Sequence, residues 1–219
     1  MTQRWISVEG IIGAGKTTLL QGLLDLAPTT VLVEEPVKLW QDSGILQDSY
    51  ENPQVWSFPA QTTFFTSRIN VFRERHAEAP ADALFVSERS AFSDILFWNT
   101  HRKLGLVSDK LHKCYLPMWN MWQHLLPIEQ PNLFVFLQPN VEECMKRMRK
   151  RGRKEEQDVD IPYQQALYEQ HVAKFMDPKG VLMPNGTRVP CVVIDGNTDF
   201  SSNPAEMQSI VEKIKAKLT

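Results

Sequence analysis

One stretch, Gly10-Ile11-Ile12-Gly13-Ala14-Gly15-Lys16-Thr17, constrains this chain more than any other. It fills every fixed position of the pattern G-x-x-x-x-G-K-[ST], which is short enough to need its context before it means anything. Arg4 to Glu9 alternates between apolar and polar as a strand does, and Thr18-Leu19-Leu20-Gln21-Gly22-Leu23-Leu24 opens an apolar helical pattern. A strand, a glycine turn and a helix start gather backbone N–H groups and the positive end of a helix dipole around one anion. Glycine is required because the converging N–H groups need backbone angles that a side chain blocks. In this arrangement Lys16 reaches the β- and γ-phosphates and the Thr17 hydroxyl stands where a magnesium ligand is needed. A glycine-rich turn without a ligand is the plainer alternative. The flanking strand and helix favour a nucleoside triphosphate site over Gly10, Ile11, Ile12, Gly13, Ala14, Gly15, Lys16, Thr17 and Thr18.

A loop of this kind needs an α/β sheet around it, and 219 residues suit one such domain, residues 1–219. Twenty-four basic against twenty-six acidic residues leave a net charge of −2, which argues for neither nucleic acid nor an anionic membrane as the main partner. Cys114, Cys144 and Cys191 form no C-x-x-C pair, so a reducing compartment, no structural zinc and buried thiols are expected. No apolar run reaches transmembrane length, and the sequence enters its first strand without a signal-like segment. The expectation is a cytoplasmic protein.

Strand and helix patterns alternate along the rest of the chain. Strands are predicted at 31–33, 83–87, 133–137 and 189–195, with helices over 39–49, 53–79, 91–104, 109–125, from about 140, 162–175 and 204–218. Such alternation predicts a parallel sheet with helices on both faces. Three features lie where ligands collect in open α/β sheets, beyond the carboxyl ends of strands. The second strand ends in Glu34-Glu35-Pro36. Pro36 holds Glu35 extended, so it is either a base toward a hydroxyl attacking the γ-phosphate or one of two solvated loop acids. The third strand ends in Glu88-Arg89-Ser90, where Glu88 suits a magnesium shell and Arg89 a phosphate or the carboxylate of Glu35. Between them, the helix over 53–79 carries Gln61, Phe65 and Arg68 at helical spacing, as if lining one side of a pocket. Pro59 should kink that helix early. Asp94, in the first turns of the next helix, is either a dipole-stabilised acid or a ligand contact. Trp119 and Trp122, three apart, suggest a packing face. From Lys146 to Lys154, seven of nine residues are basic. Nucleic-acid binding competes here with an arginine lid over transferring phosphates. The acids at Glu155 and Glu156 and the acidic overall charge favour the lid, at about residues 147–157.

Together these residues resemble the deoxyribonucleoside kinases related to deoxycytidine and deoxyguanosine kinase. The likeness runs through the phosphate loop, Glu35-Pro36-Val37 with Trp40, Trp56-Ser57-Phe58 before Gln61, Arg68, and Glu88-Arg89-Ser90 with Asp94. It continues through Arg147, Arg151-Gly152-Arg153, Glu155-Glu156-Gln157 and Asp199-Phe200, nearly the whole chain. The resemblance implies a P-loop kinase fold with a five-stranded parallel sheet, usually a homodimer, that uses ATP and Mg2+ in deoxynucleoside salvage. It implies Glu35 as the base for the sugar 5′-hydroxyl, with Arg89 and Lys16 beside it, and Thr17 and Glu88 as the magnesium side. Arg147, Arg151 and Arg153 match the lid, Tyr50 and Glu156 the contacts to the 3′-hydroxyl. Gln61, Arg68 and Asp94 match the polar contacts to the base, Trp40, Leu46 and Phe97 the pocket wall, and Asp199-Phe200 the loop over the donor adenine. The charged pair Arg68–Asp94 suits deoxycytidine or a purine deoxynucleoside over thymidine, since thymine would leave buried charges unpaired. Ala60, where an aromatic ring often packs, and Phe64, at a position commonly smaller, depart from the pattern.

Other readings share some of these features. A nucleoside monophosphate kinase of the thymidylate kinase type would need a basic cradle where Glu35 and Glu156 stand. A GTP-dependent switch would need an Asn-Lys-x-Asp motif after the fourth strand, and none is there. A nucleic-acid-stimulated ATPase would rest on the basic lid alone.

Overall fold

The computed structural model describes residues 3–125, 130–200 and 202–218. The chain runs β1 (Arg4–Glu9), α1 (Lys16–Gly22), β2 (Thr30–Val33), α2 (Val37–Asp42), α3 (Ile45–Glu51), α4 (Pro53–Glu78) and β3 (Leu84–Glu88). It continues with α5 (Asp94–Lys103), α6 (Asp109–Leu125), β4 (Leu133–Gln138), α7 (Val141–Arg151), α8 (Ile161–Phe175), β5 (Val181–Leu182), β6 (Arg188–Val189), β7 (Cys191–Asp195) and α9 (Pro204–Leu218). Five strands form one sheet in the order β2-β3-β1-β4-β7, and every pairing in it is parallel. From central β1 the chain goes to the edge strand β2, returns to place β3 between them, and then crosses to β4 and β7 on the other side, so the phosphate loop leaves the sheet at the point where the order reverses. That point is where open α/β sheets hold ligands.

The period of two along each strand divides the core by residue type. Trp5, Phe85, Phe134 and Phe136 face one layer, packed with Phe72, Phe92, Leu96 and Phe175. Ile6, Val8, Leu84, Val86, Leu133, Val135 and Leu137 face the other, against Leu19, Leu20 and Leu23 of α1, Leu167 of α8 and Ile210 and Ile214 of α9. Both faces are covered, as parallel strands require.

In three places the local structure departs from expectation. The helix predicted over 39–49 is two helices, because Gly44 takes a left-handed conformation (φ 76°) between α2 and α3. Cys114 is exposed, whereas Cys144 is buried and Cys191 half-buried; on α6 the adjacent Tyr115 takes the inward position. A small antiparallel hairpin, β5–β6, precedes the last sheet strand and had no signal in the alternation pattern.

Candidate functional site

Two cavities meet over the phosphate loop. One is lined by Lys16, Glu35, Trp40, Leu46, Tyr50, Gln61, Arg68, Glu88, Arg89, Asp94, Phe97, Arg151, Arg153 and Glu156, among others. The other is lined by Gly13, Gly15, Lys16, Thr17, Thr18, Glu88, Arg147, Arg151, Arg153, Thr198, Asp199 and Phe200, with Lys146 and Lys150. Gly13, Lys16, Glu88, Arg151 and Arg153 border both. The expected acceptor and donor residues therefore fall on opposite sides of one shared boundary.

The loop between β1 and α1 owes its shape to glycine. Gly13 has φ 81°, and a Cβ there would stand 2.5 Å from the Cys144 carbonyl oxygen of α7. Only a residue without a side chain lets α7 lie this close. Lys16 is buried; its Nζ donates to the Ile11 carbonyl at 3.1 Å and stands 3.7 Å from Glu88. Burial, helped by the charge of Arg89, pulls its ammonium down to about 8, against the opposing pull of Glu88 and Glu35. On the open side, Thr17 Oγ1 donates to Glu88 Oε2 at 2.9 Å. A hydroxyl and a carboxylate oxygen side by side fit a hard cation that takes its remaining ligands from phosphate and water. Among the described residues no cluster of three acids, histidines or cysteines could hold a metal by itself.

The acceptor side is organised on Glu35. An inverse γ-turn at Pro36 (φ −77°, ψ 53°), closed by Val37 N–H donating to the Glu35 carbonyl at 2.8 Å, turns the chain immediately after β2. Glu34 lies exposed, beside Gln21, while the Glu35 side chain is only 6% exposed. The two adjacent acids are thus separated by the fold. Arg89 Nη1 donates to both Glu35 oxygens at 2.8 Å, and Arg68 Nη2 donates to Oε1 at 2.7 Å. Burial opposes charge on Glu35, but Arg89, Arg68 and Lys16 outweigh it and hold the carboxyl at about 2. Arg68 also reaches Asp94 with its other terminal nitrogen, 2.6 Å from Oδ2, so one guanidinium from α4 bridges acids from β2 and α5. Burial opposes the charge of Arg68, yet Asp94 and Glu35 keep it firmly ionised. Its guanidinium lies 5.5 Å from the centre of the Trp40 ring, and that of Arg89 lies 4.9 Å from Phe97.

The lid residues sit at the end of α7. Gly152, with φ 68°, ends that helix, and Arg151 and Arg153 on either side of it both bond the buried carboxylate of Glu156, Arg153 at 3.1 Å. Arg147 turns back to the phosphate loop, donating to the Ala14 carbonyl at 3.2 Å. Phe200 is buried, and its ring edge would lie 3.3 Å from a Cβ on Gly15.

One expected residue is placed elsewhere. Phe65 is fully buried against Trp122, with ring centroids 4.7 Å apart, because its position on α4 faces α6; Phe64 takes the place in the cavity wall, tilted on Trp40 at 4.5 Å. Trp119 and Trp122 pack on Phe65, Ile69 and Ala91, as a packing face should. His101 and Tyr163 line the acceptor cavity and were not anticipated. They come from α5 and α8, and their hydrogen bond of 3.2 Å has no counterpart in local sequence. Gln164 was likewise missed: it is fully buried and donates to the Ile12 carbonyl of the phosphate loop at 2.7 Å.

Comparison with known proteins agrees with this geometry. Residues 6–219 match the family model described as deoxynucleoside kinase. The chain is 29% identical to "Deoxycytidine kinase 2" of Gallus gallus, over 99% of this chain and 91% of that protein. It is 29% identical to "Deoxycytidine kinase" of Homo sapiens (98% and 90% covered), and 25% identical to "Deoxyguanosine kinase, mitochondrial" of Xenopus laevis (99% and 90% covered).

Proposed function

The chain belongs to the deoxynucleoside kinase family, and we propose that it transfers the γ-phosphate of ATP to the 5′-hydroxyl of a deoxynucleoside, with deoxycytidine or a purine deoxynucleoside favoured over thymidine. The observation that carries this reading is the border the two cavities share at Lys16, with Glu35 lining only the cavity on one side of it and Thr17 only the cavity on the other. The buried acids Glu35 and Glu156 on the acceptor side speak against an acceptor that already bears a phosphate.

In this reading the phosphate loop and Lys16 cradle the donor phosphates, with Asp199 and Phe200 over the adenine. Thr17 and Glu88 would hold Mg2+, which would supply charge neutralisation at the phosphates. Glu35 receives the 5′-hydroxyl proton. Its ion pairs orient the carboxylate but also lower its basicity, so a substrate that draws Arg68 toward the base edge makes Glu35 a better proton acceptor. Arg147, Arg151 and Arg153 stabilise the oxygens of the phosphoryl group in flight. Tyr50 and Glu156 hold the 3′-hydroxyl, Gln61, Arg68 and Asp94 read the base edge, and Trp40, Leu46 and Phe97 enclose it. The preference against thymine rests on the buried Arg68–Asp94 pair, because a base with no complementary groups would leave both desolvated and unmatched. The same reading is that of a cytoplasmic salvage enzyme and a homodimer, on the family resemblance. Turnover of the four natural deoxynucleosides with magnesium ATP, run beside their 5′-monophosphates, is the deciding measurement. Turnover of the monophosphates alone would overturn the assignment, and a thymidine preference would overturn the argument on the base.

A further inference from the structure

Glu9 is a fully buried carboxylate that none of the roles above employs. It is the last residue of β1 and shares a sheet face with Trp5 and Ser7, toward the aromatic layer. A charge in that position is expensive to bury unless it is needed. One of its oxygens, Oε1, accepts from Ser7 Oγ at 2.7 Å, from the Ser90 N–H at 3.1 Å and from Ser90 Oγ at 2.9 Å; the other, Oε2, has no hydrogen-bond partner.

The neighbours of Glu9 hold the same turn. Arg89 N–H donates to the Val8 carbonyl at 2.9 Å, and Arg89 Nη2 donates to the Gly10 carbonyl at 3.2 Å. Three consecutive residues, 8 to 10, thus fasten two consecutive residues, 89 and 90. What they fasten is strained: among the described residues Arg89 is the sole non-glycine with positive φ, at 57°. A non-glycine in that region persists only where its surroundings over-determine it. The consequence is geometric. An extended Arg89 would project to a sheet face like any strand residue, whereas the left-handed turn sends its guanidinium over the loop onto both oxygens of Glu35.

We propose that Glu9 is a positioning residue: through the N–H and hydroxyl of Ser90 it locks Arg89 in the left-handed conformation and so sets the guanidinium on Glu35. It lines neither of the two cavities and acts through Arg89. The kinetic part of this proposal rests on the kinase reading above; the conformational part does not.

The test combines both. In Glu9→Ala, exchange of the Ser90 amide, followed by NMR, should accelerate at least tenfold, on the order expected when a buried amide loses its acceptor, while the β3 amide of Val86 keeps its protection. With deoxynucleoside and magnesium ATP, kcat should fall on the order of 10²-fold, as misplacement of a catalytic group does, while KM for ATP stays within about threefold. Glu9→Gln, which keeps an oxygen for Ser90, should recover most of kcat. In an Arg89→Ala background, adding Glu9→Ala should cost nothing further, because the residue it serves is already gone. Ser90→Ala, which removes one of the three donors, should show the same pattern more weakly, and serves if Glu9→Ala does not fold. Unchanged Ser90 exchange, or losses that multiply in the double variant, would overturn the proposal. A wild type that phosphorylates no deoxynucleoside would defeat the kinase reading instead and leave the exchange result to decide on Glu9.

Discussion

Arg89 Nη1 lies 2.8 Å from each carboxylate oxygen of Glu35, so a single nitrogen holds both oxygens of the acid expected to receive the hydroxyl proton. With Arg68 on the same acid, the carboxylate is fixed and fully ionised before any substrate arrives. Orientation is thereby gained at the expense of basicity, and the acid depends on its partners being redistributed on binding.

Replacing Glu35 by Gln should lower kcat by roughly 10²–10⁴-fold, the range for loss of a positioned base. Binding of magnesium ATP should change little, since the donor cavity is bounded by the phosphate loop and not by this side chain. Glu34→Gln is the control: its side chain is exposed beside Gln21 and should leave turnover near normal. Steady-state rates and a titration with a fluorescent ATP analogue separate these effects. Near-normal turnover in Glu35→Gln would move the base role elsewhere.

The pair Arg68–Asp94 makes a prediction in two parts. Removing Arg68 strands Asp94 in a buried site, which commonly costs about 3–5 kcal/mol, whereas removing Asp94 leaves Arg68 its ion pair with Glu35. Arg68→Met alone should therefore lower the melting temperature more than Arg68→Met combined with Asp94→Ala. In the double variant kcat/KM should move toward thymidine relative to deoxycytidine, because the penalty against thymine has been removed. Thermal melts and the four-nucleoside comparison check both parts. Retained discrimination in a folded double variant would show that shape, through Phe64 and Trp40, selects the base.

The difference between Glu34 and Glu35 illustrates what the letters could tell. Two adjacent acids at a strand end were visible and Pro36 favoured Glu35, yet the pairing that buries it depends on arginines 33 and 54 residues away. The sheet, the strand–turn–helix around the phosphate loop and the basic end of α7 were legible because each rests on local pattern: period two in the strands, glycine spacing in the loop, a run of basic residues. Phe65 was misplaced for the opposite reason. On a buried helix such as α4, neighbouring positions 64 and 65 differ by about 100° around the axis. Apolar residues occupy both the ligand-facing and the core-facing sides, so spacing does not say which is which. His101, Tyr163, Glu9 and Gln164 were invisible because their partners lie on other elements, and a lone polar residue in an apolar run carries no sign of what it will meet.

Acid should destabilise the protein in a window set by its buried histidines. His171 lies between Phe136 and Phe175, donating its Nδ1–H to the Leu167 carbonyl at 2.8 Å, and burial lowers its pKa from 6.5 to about 3. Burial likewise lowers His101 to about 4. Below 6.5 the unfolded chain protonates these two histidines while the folded chain does not, so their contribution lowers stability as pH drops from 6.5 toward 4, partly offset by Asp94, whose carboxyl burial raises to about 6. Glu35 adds a loss at lower pH: its pKa is depressed, so its contribution is full above 4.5 and drains as pH falls toward about 2. His171→Leu should flatten the first decline, by about 2 kcal/mol at pH 5, and leave the second untouched. Melting temperatures between pH 7 and pH 3 distinguish the two; an unchanged slope above pH 4 would clear His171 of the effect.

Glu156 carries two obligations that can be separated by choice of substrate. It holds Arg151 and Arg153 of the lid, and in the proposed reading it also accepts the 3′-hydroxyl beside Tyr50. A hydrogen bond to a charged acceptor is worth about 1.5–3 kcal/mol, so Glu156→Gln should weaken kcat/KM for a deoxynucleoside by roughly 10- to 100-fold. A 2′,3′-dideoxynucleoside never makes that bond and should lose only what the loosened lid costs. The preference for a 3′-hydroxyl should accordingly shrink toward unity in the variant, while the residual loss common to both substrates reports the lid. If both substrates lose activity equally and the preference survives intact, Glu156 serves the arginines alone, and Tyr50 becomes the group to test for the sugar.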